Sequence, residues 1–505
     1  MSDRCLLLPL ALLALAAPAA AQDWPMWGRD ETRNMTTTVT GLPTDFAPGQ
    51  FKGTSDEIDV STSKNVKWVA KLGSQSYGNV TVAGGRVYVG TNNDVPRDPK
   101  YQGDRCTVYC LDEKSGELLW QINIPKLGTG KVSDWEYLGI CSSPAVEGDR
   151  MWFLTNRCEV ACVDVKGLAD GNQGFQDEAK YYADPGKPPV ELAPTDGDIL
   201  WLFNMIDECG VFPHNITASS VLIAGDRIWA LTANGVDYGH VETPAPNAPS
   251  MIVLDKNTGA LVAEEASGTG KRIFHANWSS PAYYRHGGKE LGIFPGPDGV
   301  LYAFHPDPVM ADDGLAVLKE AWRVDGNPPH YREKDGKPLK YATRYGPSEI
   351  LGTPMVYDGL VYAVIGQDPE HGEGIGNAIC VDGDGKVVWS YDKINRSLSS
   401  GSAADGLYYV PDYSGFVYCF DAKTGALKWR HDTKGHIWGS PLLADGKLFI
   451  GNEDGYLTIL PAGPELKKES VIEIDMGAPV LSTPVAANGV LYVQTHTHLF
   501  AIAKP

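Results

Sequence analysis

Five short stretches carry the side chains that could do chemistry. "VFPHNIT" brings His214 and Asn215, "NGVDYGHVE" brings Asn234, Asp237, His240 and Glu242, and "FHANW" brings His275, Asn277 and Trp278. "GQDPEHGEG" adds Asp368, Glu370, His371 and Glu373, and "TNRCE" adds Asn156 and Arg157. Imidazoles beside carboxylates can hold a divalent metal ion or move protons near neutral pH. The spacings Asp237-x-x-His240-x-Glu242 and His371-x-Glu373 suit metal ligands, so Asp237, His240, Glu242, His371 and Glu373 form the candidate metal set. Asn156, Arg157, His214, Asn215, Asn234, His275, Asn277 and Asp368 join Asp237, His240, His371 and Glu373 as candidate ligand-binding residues. Taken singly, each reads equally well as a solvated turn group or a cap. Their number is what suggests a binding surface.

Something regular must hold these loops. A strand–tight turn–strand unit recurs as "VAGGRVYVGT" at Val82, "SSPAVEGDRMWFLT" at Ser142, "SSVLIAGDRIWALT" at Ser219 and "GTPMVYDGLVYAVI" at Gly352. It continues as "GSAADGLYYV" at Gly401, "GSPLLADGKLFIGN" at Gly439 and "STPVAANGVLYVQT" at Ser482, with a weaker copy, "SSPAYYRHGGKELGIF", at Ser279. Turns such as "ADGK" and "EGDR" supply the positive φ that two-residue hairpins demand. The strands are nearly continuous apolar runs, which suits sheets covered on both faces by their neighbours. Each unit is expected to have four strands. The last supplies only three, Ser482 to Ile502, and the missing fourth stands at the start of the chain as "NVKWVAKL", Asn65 to Leu72. The expectation is an all-β, eight-bladed β-propeller of four-stranded antiparallel sheets, its ring closed by residues 65–72 pairing with the C-terminal strands.

After the third strand of a unit comes a second recurring string: Cys110, Asp112, Ser115, Gly116, Trp120, and again Cys419, Asp421, Thr424, Gly425, Trp429. A shorter form runs Cys380, Asp382, Gly385, Trp389. Another has Asp255, Thr258 and Gly259 but Ala263 in the Trp place, and a fifth splits Cys162 and Asp164 from Trp201. This resembles the tryptophan-docking motif of the PQQ-like (quinoprotein alcohol dehydrogenase-like) propeller superfamily and its exported bacterial members. The resemblance implies that Trp120, Trp201, Trp389 and Trp429, with Gly116 and Gly425, dock sheet on sheet. For the quinoprotein members it also implies pyrroloquinoline quinone (PQQ) over the channel, between a tryptophan and a vicinal disulfide, with Ca²⁺ held by Glu, Asn and Asp. This sequence has no Cys-Cys pair. The superfamily also includes the propeller subunit of the outer-membrane β-barrel assembly machinery, typically a lipoprotein.

Connectivity assigns the loops. Those near 92–105, 235–249 and 367–376 follow second strands, and those near 124–141, 205–217, 266–278 and 325–351 follow fourth strands. All emerge on one face. After-third insertions near 166–197 and 305–317 lie opposite. Loops on a rigid scaffold carry function, so the loop-rich face is the candidate site. The segment "DWPMWGRDETRN" reads as a packed arm over a sheet edge.

The 505 residues are 43% apolar with net charge −20, a globular composition without basic runs, which excludes nucleic acid as a partner. Residues 1–21 read as a signal peptide cut after Ala21, residues 22–64 as an N-terminal arm, and 65–505 as the propeller. No later segment would span a membrane, and no cysteine follows the h-region to take a lipid anchor. The expected location is the periplasm or the exterior. Of the cysteines Cys106, Cys110, Cys141, Cys158, Cys162, Cys209, Cys380 and Cys419, those two residues before a motif aspartate read as buried apolar groups. A Cys106–Cys158 bridge is one open pairing. The functional expectation is a scaffold binding a small molecule or a periplasmic or extracellular protein. The alternatives are a PQQ/Ca²⁺-dependent alcohol or sugar dehydrogenase and a metal-dependent hydrolase or lyase.

Overall fold

Turn chemistry dictates the local pairing. Asp358–Gly359, Asp405–Gly406, Asp445–Gly446 and Asn488–Gly489 each place two successive residues at positive φ, the geometry that matches the right-handed twist of flanking strands. A computed structural model describes residues 22–504, so the expected signal peptide lies outside the described residues. Six four-stranded antiparallel meanders follow one another in sequence order or close the chain. The first runs from Thr81–Ala83 to Leu118–Pro125, and the second from Ala145–Glu147 to Ile199–Asn204. Others begin at Met355–Tyr357, Ser402–Ala404 and Leu442–Ala444. The last, Val485–Ala487, Val490–Gln494 and His498–Ile502, is completed by Val66–Lys71, which pairs antiparallel with His498–Ile502.

The middle of the chain departs from the expected separate sheets. Two meanders, Leu222–Ala224 to Leu261–Glu265 and Ala282–His286 to Ala316–Asp325, fuse into one eight-stranded sheet. The segment read as an after-third loop near 305–317 is instead a β-ribbon, because Val300–Met310 and Ala316–Asp325 are extended strands of 11 and 10 residues. Their overhang reaches Glu264 and Glu265, which pair in parallel with Val317 and Leu318. Ala263, where other units carry tryptophan, leaves that outer strand without a bulky ring.

Elsewhere an indole of one sheet's outer strand lies on a glycine turn of the next. Asp421 Oδ1 accepts from the Thr424 N–H and hydroxyl, turning the chain so that Gly425 sits at φ +70° against the Trp389 ring. A Cβ on Gly425 would come within 2.6 Å of that ring, and Trp389 Nε1 donates to Ala422 O at 2.9 Å. Trp68 on Gly116, Trp201 on Gly259 and Trp322 on Gly385 repeat the contact, while Trp120 Nε1 donates to Val165 O and Trp429 Nε1 to Gly463 O. The glycine opens room for the ring, and the ring's apolar body fills the space between sheets.

Around the centre, residues just before the first strands are stitched head to tail. Backbone N–H groups donate from Asn79 to Ser143 Oγ, from Ser143 to Ser220 Oγ and from Ser220 to Ser280 Oγ. Ser400 donates to Ser440 Oγ, Ser440 to Thr483 Oγ1, and Thr483 back to Asn79 Oδ1. Between Ser280 and Ser400 stands Thr353, whose Oγ1 accepts from Trp27 Nε1 and whose carbonyl accepts from Ser400 Oγ.

Trp27 belongs to the N-terminal arm, which corrects the expectation of a segment lying on one sheet edge. The arm crosses the inner strands in turn. Trp24 bridges Val82, Pro25 O accepts from Val146, Glu31 O from Tyr283, Thr32 O from Val356 and Met35 O from Leu443. Asn34 exchanges two hydrogen bonds with Ala403, and Gln22 and Asp23 bond Asn488 in the last hairpin turn. Arg33, wholly buried at φ +60°, donates to the carbonyls of Trp27, Ser220, Val221 and Pro281. Burial pushes its guanidinium down to about 9. Backbone amides and carbonyls at the centre of stacked sheets must find partners, and this arm supplies them.

The suggested Cys106–Cys158 bridge is not formed: all eight described cysteines are free. Cys106 packs with Val108 and Trp120, whereas Cys158 packs with Val160 and Met205 in a different core. Cys162, Cys380 and Cys419 are buried, and burial pushes each thiol up to about 12.

Candidate functional site

The arm floors a central cavity of about 520 Å³. Trp27 lines its arm end, and Tyr77, Trp135, Trp278 and Trp438 line it among the loops, with Asp368 beside them. The arm meets the hairpin turns of the first strands, as in the Asp23 bond to the Gly84 N–H, so the cavity's other end lies toward the long loops.

At that end four loops converge. His214 follows the short helix Met205–Cys209, which Asn204 caps by accepting from the Ile206 and Asp207 N–H groups and which Gly210 ends at φ +66°. His275 precedes Ala282–His286, and Asp368 with His371 follows Leu360–Val364. His240 sits at φ +54° in a turn held by Asp237, whose Oδ1 accepts from the Val241 and Glu242 N–H groups. The ring centroid of His240 is 5.0 Å from His214, 4.6 Å from His275 and 5.7 Å from His371.

Hydrogen bonding orients the His214 and His371 rings. His214 Nδ1 lies 2.7 Å from Val236 O; a carbonyl only accepts, so Nδ1 carries the hydrogen and Nε2 the lone pair. His371 Nδ1 donates to Asp368 Oδ2 at 2.5 Å, and Tyr341 OH donates to the same oxygen at 3.2 Å. His275 Nε2 faces His214 Nε2 at 3.0 Å, and its buried Nδ1, 3.4 Å from Asp368 Oδ2, has no hydrogen-bond partner. Burial pushes His214 down to about 4 and His275 to about 3, the latter against the pull of Asp368. The bond to Asp368 raises His371 above its ordinary value. Burial would raise Asp368, but its bonds and charges from His371, His275 and Tyr341 leave it below the usual carboxylate range. Glu349, which accepts from the Ala276 N–H, is driven well up by burial and the nearby Asp368.

Of the residues singled out in the sequence, His214, His240, His275, Asp368 and His371 come together here, and Asn215 lines the cavity. Asn234 and Asn277 brace the loops, donating to Ala245 O and Ser250 O. Asp237 is occupied by its own turn and Glu242 is exposed. Glu373 lies away from the cluster, 3.2 Å from His436. Asn156 binds Asp134, and Arg157 lies over the Tyr181 ring, neither touching the histidines. Tyr341 and Glu349 escaped sequence reading, since nothing in "KYATRYGPSEI" separates a buried tyrosine and glutamate from solvated loop residues.

Among the described residues no helix is long and apolar enough to cross a membrane. A quinoprotein ethanol dehydrogenase of Pseudomonas aeruginosa is 26% identical over 207 residues, 35% of this chain and 33% of that protein. The dehydrogenase subunit of an alcohol dehydrogenase (quinone) of Gluconobacter oxydans is 27% identical over 123 residues, 20% of this chain and 15% of that one. The chain thus spans a third or less of the length of these curated relatives. BamB from Moraxella catarrhalis superposes with a TM-score of 0.52 at 13% identity, covering 87% of this chain and 97% of that one, so the fold is that of a β-propeller. The family model described as outer membrane protein assembly factor BamB matches residues 62–273 and 374–462, more than half of the chain, which therefore belongs to this PQQ-like propeller family.

Proposed function

We propose that this chain is an exported, eight-bladed PQQ-like propeller, with residues 22–64 as its arm and 65–505 as its ring, that binds a small planar ligand in its central cavity through the loop-rich face. Eight copies of the strand–turn–strand unit support the blade count, the fused sheet being read as two blades. The observation that carries the ligand reading is the cavity itself: about 520 Å³, floored by Trp27 and flanked by Tyr77, Trp135, Trp278 and Trp438. That volume falls among small-molecule sites, and aromatic walls favour flat ligands by stacking, each pair worth about 0.5–1.5 kcal/mol.

A quinone–Ca²⁺ pair does not fit these residues. Ca²⁺ takes about six to eight hard oxygen ligands. Among the described residues the clusters of three or more His, Cys, Asp or Glu side chains close enough to share an ion are built mainly on histidine nitrogen, with Asp368 their one carboxylate, and no two cysteines are adjacent to form a stacking platform. No hydride-transfer step is derived.

The test is quenching of tryptophan fluorescence by 1,4-naphthoquinone, a flat, efficient quencher. Saturable quenching with one site is expected, weakened about 5- to 150-fold in a Trp135→Ala/Trp278→Ala double variant, the loss of two stacked faces. Purely collisional, non-saturating quenching of the wild-type protein would sink the reading.

A further inference from the structure

With its rings neutral, the histidine cluster leaves some of its own atoms unsatisfied unless something sits between them. His214 presents a lone pair at Nε2, because its Nδ1–H is given to Val236 O. A neutral His275 then has two choices. If its Nε2 carries the hydrogen and donates across the 3.0 Å gap to His214, its Nδ1 lone pair points at the Asp368 carboxylate 3.4 Å away, two acceptors facing each other in a buried place. If Nδ1 carries the hydrogen and turns toward Asp368, two Nε2 lone pairs face each other at 3.0 Å. Buried polar atoms are expected to be paired, and neither neutral tautomer pairs them all; a doubly protonated His275 would do so only by burying a positive charge, on a ring 2% exposed, between the His214 and His240 imidazoles. A cation between the Nε2 atoms satisfies both.

We infer that His214, His240 and His275 form a site for one transition-metal ion of the zinc–copper class, supported by Asp368 and His371. The donor atoms of the three histidines all lie within 4.8 Å of one another. Tetrahedral metal–nitrogen bonds of about 2.05 Å put two ligand nitrogens about 3.3 Å apart, a few tenths beyond the His214–His275 separation. The surroundings match the outer shell of such sites, in which each ligand's second nitrogen donates to a carbonyl or carboxylate that fixes the tautomer. Val236 O serves His214 in this way and Asp368 serves His275. Asp368 is itself held by His371 and Tyr341. Imidazole donors favour Zn²⁺, Cu²⁺ or Ni²⁺ over Ca²⁺ or Mg²⁺. His240, exposed on its strained turn, is the entry side. Trp278, its ring 5.0 Å from His275, lines the adjoining cavity, so a fourth ligand to the ion would come from water or from a cavity occupant.

The test strips the full mature chain with EDTA and titrates it with Zn²⁺ by calorimetry and with Co²⁺ by visible absorption. One equivalent binds with a Kd below about 1 µM, as preformed histidine sites do, and Co²⁺ gives the ligand-field bands of a four-coordinate ion. His240→Ala, an exposed change that leaves the fold intact by thermal unfolding, weakens binding by 100-fold or more and alters the Co²⁺ bands. Asp368→Asn weakens it about 10–100-fold. His275→Ala abolishes the bands if it folds; if it does not, His240→Ala carries the test. Zn²⁺ binding weaker than about 100 µM by folded wild-type protein, or undiminished binding by His240→Ala, overturns the site. Naphthoquinone quenching by the metal-free protein is read separately, so loss of the metal site and loss of the cavity reading are distinguishable.

Discussion

Gly425 and Gly53 both sit at positive φ, +70° and +60°, yet only Gly425 faces a ring, that of Trp389; nothing lies within 4 Å of the place a Gly53 Cβ would take. Gly53→Ala should therefore cost only the backbone strain of a left-handed alanine, about 1 kcal/mol. Gly425→Ala should cost that plus the displacement of the indole, about 3 kcal/mol. Urea unfolding of the pair checks it, and equal losses would remove the ring from the account. These glycines were legible because aspartate, hydroxyl residue, glycine and tryptophan recur at fixed offsets, a local pattern. The histidine cluster was legible only in part. Its members come from four loops far apart in the chain, and spacing favoured Asp237 and Glu373, whose carboxylates are engaged by their own turn and by His436. Spacing along a chain reports on one turn. Convergence of loops depends on the sheets beneath them.

At the scale of the element, the closing strand has a titrating neighbour. His498 Nε2 donates to Asp56 O at 2.8 Å and its Nδ1 stands 2.9 Å from the Thr497 hydroxyl, so the neutral ring is fully bonded. Burial, then the charge of Lys71 on the paired strand, pushes it down to about 4. In the unfolded chain a histidine binds its proton near pH 6.5. Between about 6.5 and 4 the unfolded state therefore holds more protons, and stability falls as the pH falls. His498→Gln keeps a donor for Asp56 O and removes the titration. The wild type should lose about 2 kcal/mol more than this variant between pH 7 and 4.5, measured by denaturant unfolding at each pH; parallel profiles would show that His498 contributes nothing to the acid sensitivity. The pairing of Val66–Lys71 with His498–Ile502 was legible from the orphaned "NVKWVAKL" string. The fusion of the two central meanders was not, because it depends on strand overhang, and an after-third insertion reads alike in sequence as loop or ribbon.

Across the whole molecule, Arg33 gathers carbonyls from the arm and from the residues just before two inner strands, and it makes no ion pair among the described residues, the Asp30 charge acting on it only from a distance. Arg33→Met keeps volume and strips the donors, leaving buried acceptors unpaired, and should cost about 3 kcal/mol. It should also loosen the cavity floor, so naphthoquinone affinity falls along with the unfolding midpoint. A midpoint shift with unchanged affinity would separate floor from cavity. The arm's role was hidden in the sequence because it pairs main chain to main chain with strand after strand, and because Trp27, Arg33 and Asn34 bond mostly to backbone groups far away in the chain, which no local spacing marks.

The same arm and closing strand set an order of events. Gln22 bonds Asn488, 466 positions further on, and Val66–Lys71 waits for His498–Ile502. Trp24 and Pro25 can seat on Val82 and Val146 early, but Gln22 and Val66–Lys71 have no seat until the strands around Asn488 and His498–Ile502 are made. Contacts of such long sequence separation slow folding, so the nascent chain must stay unlatched through most of its synthesis, and the ring snaps shut only when the tail meets the head.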